Sequence, residues 1–248
     1  MRENSEGRLA GKVAIIAGAG GGMGRSTPLW FAAEGAKLML VARRAEPLAA
    51  MVSDIEARGG EADYVTADLT TVQGGVKMVD ATIERWGQID VLFDNLGDAA
   101  ASGLRLHETD EEAWKYLVDI NLHTGYMCAQ AAIPKMQEQK QGSIIFVSAA
   151  GETRQRANAG YGAAKWGLIG LTRSLARQYR DDGIRVNCIC PGGIGDTRGE
   201  EDAGLPPPEL VRGGHPADIA MAAVFLASDE SAWISGVSID IDGGETMM

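Results

Sequence analysis

Short runs of four to six apolar residues recur along this 248-residue chain, each followed by a longer stretch whose apolar positions return with helical period. That alternation admits few folds, because strand and helix repeated in turn build a parallel sheet with helices laid over it. Strands are predicted at 13–17, 38–42, 62–66, 89–93, 143–148, 184–189 and 237–241. Helices are predicted at 22–34, 45–58, 72–86, 111–138 with Pro134 as a kink or break, 159–180 and 216–227. Runs such as Val13-Ala14-Ile15-Ile16 and Ile144-Ile145-Phe146-Val147 are apolar at every position, which suits strands covered on both faces. The expected architecture is α/β: a single domain over 1–248, doubly wound, with about seven parallel strands and helices on both faces. One stretch lacks any period, 193–213, where glycines, acids and Pro206-Pro207-Pro208 suggest a substrate lid.

Composition removes several function classes. Apolar residues at 45% and charged residues at 23% support a packed core, and the 33 glycines show no three-residue period. The stretch 1–10 is polar and no eighteen apolar residues run together, so neither secretion signal nor membrane span is expected, and the expected address is cytoplasmic. Cys128, Cys188 and Cys190 are odd in number and lack metal or redox spacing, as reduced cytosolic thiols do. A net charge of −11 repels polyanions, so nucleic acid is not an expected partner.

Directly after the first predicted strand the chain reads Ala17-Gly18-Ala19-Gly20-Gly21-Gly22-Met23-Gly24-Arg25 and then enters a helix. Glycines there let the backbone approach a pyrophosphate, while the helix N-terminus presents unpaired N–H groups to it. The spacing is Gly18-x-x-x-Gly22-x-Gly24 and not GxGxxG, but its strand-turn-helix setting makes it a Rossmann-type dinucleotide loop. Gly18, Gly20, Gly22, Met23 and Gly24 are its expected contacts. Choice of dinucleotide falls to the end of the second strand, where Leu40-Val41-Ala42 leads into Arg43-Arg44 with no carboxylate. Two guanidiniums suit a 2′-phosphate, so NADP(H) is favoured, with NAD(H) possible and a solvated basic turn as the competing reading.

Ser148 closes the fifth predicted strand, Tyr161 follows thirteen residues later at the start of a helix, and Lys165 lies four beyond it. That last spacing puts Tyr161 and Lys165 on one helix face. A phenol is a poor acid or base at neutral pH, and a neighbouring ammonium lowers its pKa toward the working range. Ser148 can hold a substrate oxygen while Tyr161 moves its proton and hydride passes to or from a nicotinamide. A hydrolase would need GxSxG and a histidine partner, but Ser148 sits in Phe146-Val147-Ser148-Ala149-Ala150, and His107, His123 and His215 lack supporting motifs. Zinc chemistry lacks clustered ligands, so no metal is expected. The rival from another class is a non-catalytic dinucleotide-binding sensor or scaffold, which would need none of these side chains.

With these residues in place the chain resembles the short-chain dehydrogenase/reductase family, and within it the 3-oxoacyl-ACP-reductase-like members, over essentially its whole length. Gly18, Gly22 and Gly24 fall on the family's TGxxxGxG loop, Asp68-Leu69 on its adenine-contacting pair, and Asp94-Asn95-Leu96-Gly97 on its NNAG segment. Asn121 falls on the asparagine that completes a tetrad with Ser148, Tyr161 and Lys165. Pro191-Gly192 resembles the family's PG turn, with Ile194 and Thr197 in the following cofactor segment, and Gly236 with Asp242-Gly243-Gly244 its C-terminal pattern. The resemblance implies a proton relay from Tyr161 through the ribose and Lys165 to Asn121, and packing of the 159–180 helix against a second copy in a homotetramer or homodimer. The chain departs from the pattern at Ala17, where the family has threonine, at Asp94, where it has asparagine, and in one extra residue before Thr197. The first two changes are expected to alter local rigidity more than chemistry.

The substrate is expected at the C-terminal strand ends, beside the polar segment 149–158. Within it Arg154 or Arg156 could recognise an anionic group, the competing reading being that both face water or a neighbouring subunit. The expected activity is NADP(H)-dependent hydride transfer with a carbonyl or secondary alcohol. An NAD-dependent secondary alcohol dehydrogenase is the alternative.

Overall fold

Apolar strands need cover on each face, and the helices are shared out to provide it. The computed structural model describes residues 7–20, 25–99, 104–195 and 213–245. Its strands are β1 (Val13–Ala17), β2 (Lys37–Ala42), β3 (Glu61–Thr66), β4 (Val91–Asp94), β5 (Gly142–Val147), β6 (Ile184–Pro191) and β7 (Ser238–Ile241). Every adjacent pair is parallel, in the order β3-β2-β1-β4-β5-β6-β7. The helices are α1 (Ser26–Ala33), α2 (Ala45–Ala57), α3 (Val72–Trp86), α4 (Glu111–Val118), α5 (Thr124–Gln139), α6 (Gly151–Arg156), α7 (Ala159–Gln178) and α8 (Pro216–Ala227). Phe31 of α1, Leu48 and Ile55 of α2, and Ile219 and Val224 of α8 pack with Ile16, Leu40 and Phe93 on one face. On the other, Met78 of α3, Met136 of α5 and Leu168 of α7 pack with Ile15, Ile144 and Phe146. The result is the expected single doubly wound α/β domain.

The boundaries depart from expectation where side chains take over backbone bonding. Ile89 is buried but precedes β4, because the Gln139 side chain accepts from its N–H at 2.9 Å and donates to its carbonyl at 2.8 Å. The predicted helix 111–138 is broken at a π turn, Asp119–His123, and not at Pro134, which lies inside α5. Packing of α5 on the sheet outweighs the N–H that proline lacks. The polar segment beyond β5, for which no helix was expected, forms α6, with Glu152 in its first turn and Arg154 and Arg156 in its last, matching the helix dipole. α1 begins at Ser26; Gly22, Met23 and Gly24 of the predicted loop lie outside the described residues, as do Thr197, Pro206, Pro207, Pro208 and most of the predicted lid. At the lid's margins Ile194 pairs with Gly214 in a parallel bridge.

Candidate active site

Strand order reverses between β1 and β4, and the carboxyl ends of the strands around that switch open a cleft of about 360 Å³. Its walls include Gly18 and Gly20 after β1, Arg43 and Arg44 after β2, Asp68 and Leu69 after β3, and Asn95, Leu96 and Gly97 after β4. Residues scattered over some eighty positions of sequence thus meet in one place. Gly18 sits at φ +88°, a conformation open to glycine, and its N–H donates to the Val41 carbonyl at 2.9 Å. Pro191, Gly192 and Ile194 do not line this cleft: the Pro191 carbonyl accepts from Ala150 N–H at 2.7 Å, and Gly192 N–H donates to Ile241 at 2.9 Å.

These walls fit a dinucleotide. Asn95 Oδ1 is buried without a hydrogen-bond partner among the described residues, so an acceptor waits at the cleft wall. A Cβ on Gly97 would stand 2.8 Å from Lys165 Nζ and 2.9 Å from Asn121 Oδ1, so only bare backbone fits there. Arg43 and Arg44 are exposed at the rim, and neither makes an ion pair with a described residue. The Asp68 carboxylate accepts from Thr70 Oγ1 at 2.7 Å and Thr70 N–H at 3.1 Å; these bonds, helped by the Arg43 charge, hold it below the usual carboxylate range.

Beside this cleft lie the predicted tetrad's Ser148, Lys165 and Asn121, buried, and Tyr161, half-buried. Ser148 directly follows β5, and its Oγ donates to the Lys165 carbonyl at 2.7 Å. Tyr161 lies in the first turn of α7, where Asn158 caps the helix by accepting from the Tyr161 N–H at 2.8 Å. One turn on, Lys165 Nζ donates to the carbonyls of Val147 at 2.9 Å and Leu96 at 3.3 Å, and stands 5.7 Å from the Tyr161 ring centroid. Asn121 sits in the π turn, a feature that recurs at functional sites. Its Oδ1 accepts from Asp98 N–H at 3.0 Å, and its Nδ2 donates to the carbonyls of Asp98 at 2.8 Å and Leu117 at 2.9 Å.

Burial dominates the electrostatics. It pushes the Lys165 ammonium down to about 8 against the opposing pull of Asp94, Cys188 and Cys190. It pushes Asp94, wholly enclosed at the end of β4, up to about 6 against the Leu96 N–H bond and the Lys165 charge. Tyr161 is raised above its usual value by burial. This reverses the direction expected from spacing alone, because burial is the cause acting on the phenol and Lys165 donates to two backbone carbonyls.

Arg154 is 6% exposed, donates to the Ala149 carbonyl and lies 4.2 Å from the centre of the Trp166 ring, while Arg156 is exposed and pairs with Glu152. Among the cleft residues that escaped the sequence reading are Asp98 and Tyr116, whose hydroxyl donates to Asp98 Oδ2 at 2.6 Å. No spacing rule connects a loop to a helix eighteen residues on. Asn158 was readable as an N-cap three residues before Tyr161.

Comparison with known proteins agrees with this geometry. A profile of the short chain dehydrogenase family matches residues 12–204. The chain is 33% identical to 3beta-hydroxysteroid dehydrogenase 2 of Eggerthella lenta over 95% of both chains. It is 34% identical to a 3-oxoacyl-(acyl-carrier-protein) reductase of Thermotoga maritima, covering 96% of this chain and 98% of that one. The crystal structure of carveol dehydrogenase from Mycobacterium avium in complex with NAD superposes with a TM-score of 0.86 at 28% identity, covering 98% of this chain and 100% of that one. Among the described residues no helix is long and apolar enough to cross a membrane. The chain belongs to the short-chain dehydrogenase/reductase family, enzymes that move hydride between NAD(P) and an alcohol or carbonyl group.

Proposed function

We propose that this enzyme is NADP(H)-dependent and interconverts a carbonyl compound and its secondary alcohol through Ser148, Tyr161, Lys165 and Asn121. The observation that carries the reading is the gathering of buried Ser148, Lys165 and Asn121 with half-buried Tyr161 beside a cleft whose rim holds two exposed guanidiniums, unpaired among the described residues, and no carboxylate at the end of β2. Gly18, Gly20, Gly22, Met23, Gly24, Asp68, Leu69, Asn95, Gly97, Pro191, Gly192, Ile194 and Thr197 would hold the dinucleotide, with Arg43 or Arg44 on the 2′-phosphate. When bound, the nicotinamide supplies or accepts the hydride. Tyr161 gives its proton to the substrate oxygen in reduction and takes it back in oxidation. Ser148 has one proton, now on the Lys165 carbonyl, and must release that acceptor to donate to a substrate carbonyl. Asn121 braces Asp98 and Leu117, which fixes the wall behind Lys165.

A second reading, NAD-dependent oxidation of a secondary alcohol, is favoured by Arg43 acting on Asp68, which draws on the charge a 2′-phosphate would use. For the substrate, Arg154 keeps a buried Nε–H without a partner among the described residues, whereas exposed Arg156 is spent on half-exposed Glu152, so an anionic substrate group would meet Arg154. We also read the enzyme as a cytoplasmic homo-oligomer, tetramer or dimer, assembled through α7. The three free, buried thiols suit that address.

The test is a panel of carbonyl compounds and secondary alcohols followed by NADPH and NADH absorbance. Expected are turnover favouring NADPH, loss of that preference in Arg43→Ala with Arg44→Ala, and a fall of about a hundredfold or more in Tyr161→Phe. Turnover surviving Tyr161→Phe would overturn the chemistry, and an unaltered preference in the double variant would overturn the phosphate assignment. Dinucleotide binding with no turnover on any substrate would favour a sensor.

A further inference from the structure

At the first position of its NNAG-like segment this chain carries a carboxylate, Asp94, and the structure buries it to 2% exposure at the end of β4. Its Oδ1 accepts from the Leu96 N–H at 3.2 Å. The carbonyl of that same residue accepts from Lys165 Nζ at 3.3 Å. Asp94 and Lys165 are therefore linked through one residue of backbone, Leu96, which also lines the cofactor cleft. On its other side Asp94 Oδ2 faces Gly125 of α5, where a Cβ would stand only 2.9 Å from it, so the carboxylate fills space that a larger residue would take.

An asparagine would make the same bond to Leu96 N–H without a buried charge, so the hydrogen bond alone does not account for aspartate. A buried carboxylate costs free energy unless an opposite charge meets it. The cation here is Lys165, 3% exposed, whose own hydrogen-bond partners are neutral carbonyls. The other titratable groups about the pair are the Cys128 thiol of α5 near Asp94, the Cys188 and Cys190 thiols of β6 near Lys165, and the Tyr161 phenol one turn away on α7. Burial pushes the Cys128 thiol well up and the phenol up; the hydrogen bond between Cys188 and Cys190, with burial, pushes Cys188 well up and holds Cys190 below its usual value, and Asp94 is the carboxylate that acts on the ammonium.

We propose that Asp94 is a positioning residue for Lys165, holding the Leu96 carbonyl that receives Nζ and supplying the negative charge that keeps the ammonium protonated at neutral pH. The inference rests on the reading that Lys165 serves the hydride-transfer site, but its effect can be read without turnover. It would add an electrostatic role to the expectation that aspartate here alters local rigidity more than chemistry.

The test is a carbon-13 NMR titration of the lysine Cε signals in the full-length protein. Seven lysines keep the spectrum tractable, and Lys165→Met identifies the signal. In Asp94→Asn, which preserves the acceptor for Leu96, the Lys165 midpoint should fall by about one pH unit or more. The reciprocal measurement, Asp94 carboxyl titration in Lys165→Met, should show a rise of similar size, since linkage between two sites is mutual, and it serves if Asp94→Asn does not fold. A Lys165 midpoint unmoved in folded Asp94→Asn, or an Asp94 midpoint unmoved in Lys165→Met, would overturn the proposal. Absence of turnover in the substrate panel would leave these midpoints intact, so the two failures are distinguishable.

Discussion

Burial holds the proton on Tyr161, and this sets how the residue works at each pH. Reduction needs the phenol in its acid form, and with its pKa raised above the usual value that form persists throughout the neutral range. The nearer limit is Lys165, which loses its proton at about 8. In the proposed mechanism a neutral amine would no longer stabilise the phenolate that reduction leaves behind, so proton transfer from Tyr161 would become harder. We expect carbonyl reduction at saturating NADPH to be flat below about pH 7 and to fall as Lys165 deprotonates. Initial rates across pH check this, and a rate that climbs through the Lys165 midpoint would show that the ammonium is not required.

Secondary structure elements carry these residues to the cleft, and helix α3 shows how tightly. Thr71 caps it by accepting from Gly74 N–H at 3.1 Å, while Thr71 N–H and Oγ1 donate to the Asp68 carbonyl at 3.2 and 2.8 Å. A Cβ on Gly74 would overlap that carbonyl, so Gly74→Ala must push back the turn that carries Asp68 and Leu69. Expected are a loss of about 1–3 kcal/mol in unfolding free energy and weaker NADPH binding, read by denaturant titration and cofactor fluorescence. Unchanged binding would mean that the turn does not position the cofactor wall. Gly74 was just one small residue in a helical pattern, and only the fold reveals what it lies against. By contrast the sheet was legible because doubly covered strands are apolar at every position, and the nearness of Ser148, Tyr161 and Lys165 because the last two lie one turn apart behind a strand-end serine, whereas Asn121 came only from the family resemblance. What sequence could not locate was the break at Asp119–His123, since a π turn has no residue signature and Pro134 offered a stronger, misplaced one. α6 was missed because six residues opening with glycine carry too little periodicity to compete with a loop reading.

At the scale of the whole molecule, a net charge of −11 makes copies of this chain repel one another, so self-association needs a surface where acids are absent. α7 is such a surface: its twenty residues include no aspartate or glutamate. Its outer side presents Ala163, Trp166 at 50% exposure, Gly170 and Arg173, an acid-free face on which an exposed aromatic stands between two small residues. Among the described residues, nothing beyond the helix's own backbone lies within 4 Å of a Cβ placed on Gly170. In an isolated protomer Gly170→Glu should therefore be neutral or stabilising by a few tenths of a kcal/mol, since glycine is the poorer helix former. Against a second α7 the same change buries a carboxylate in a close contact and should separate the subunits. We expect light scattering to give a mass at a multiple of 26.2 kDa for the native protein and at 26.2 kDa for Gly170→Glu, with unchanged circular dichroism. Raising the salt should screen the general repulsion and tighten the native assembly. A native mass of one chain would overturn the oligomer, and an unaltered multiple in Gly170→Glu would move the contact to another face.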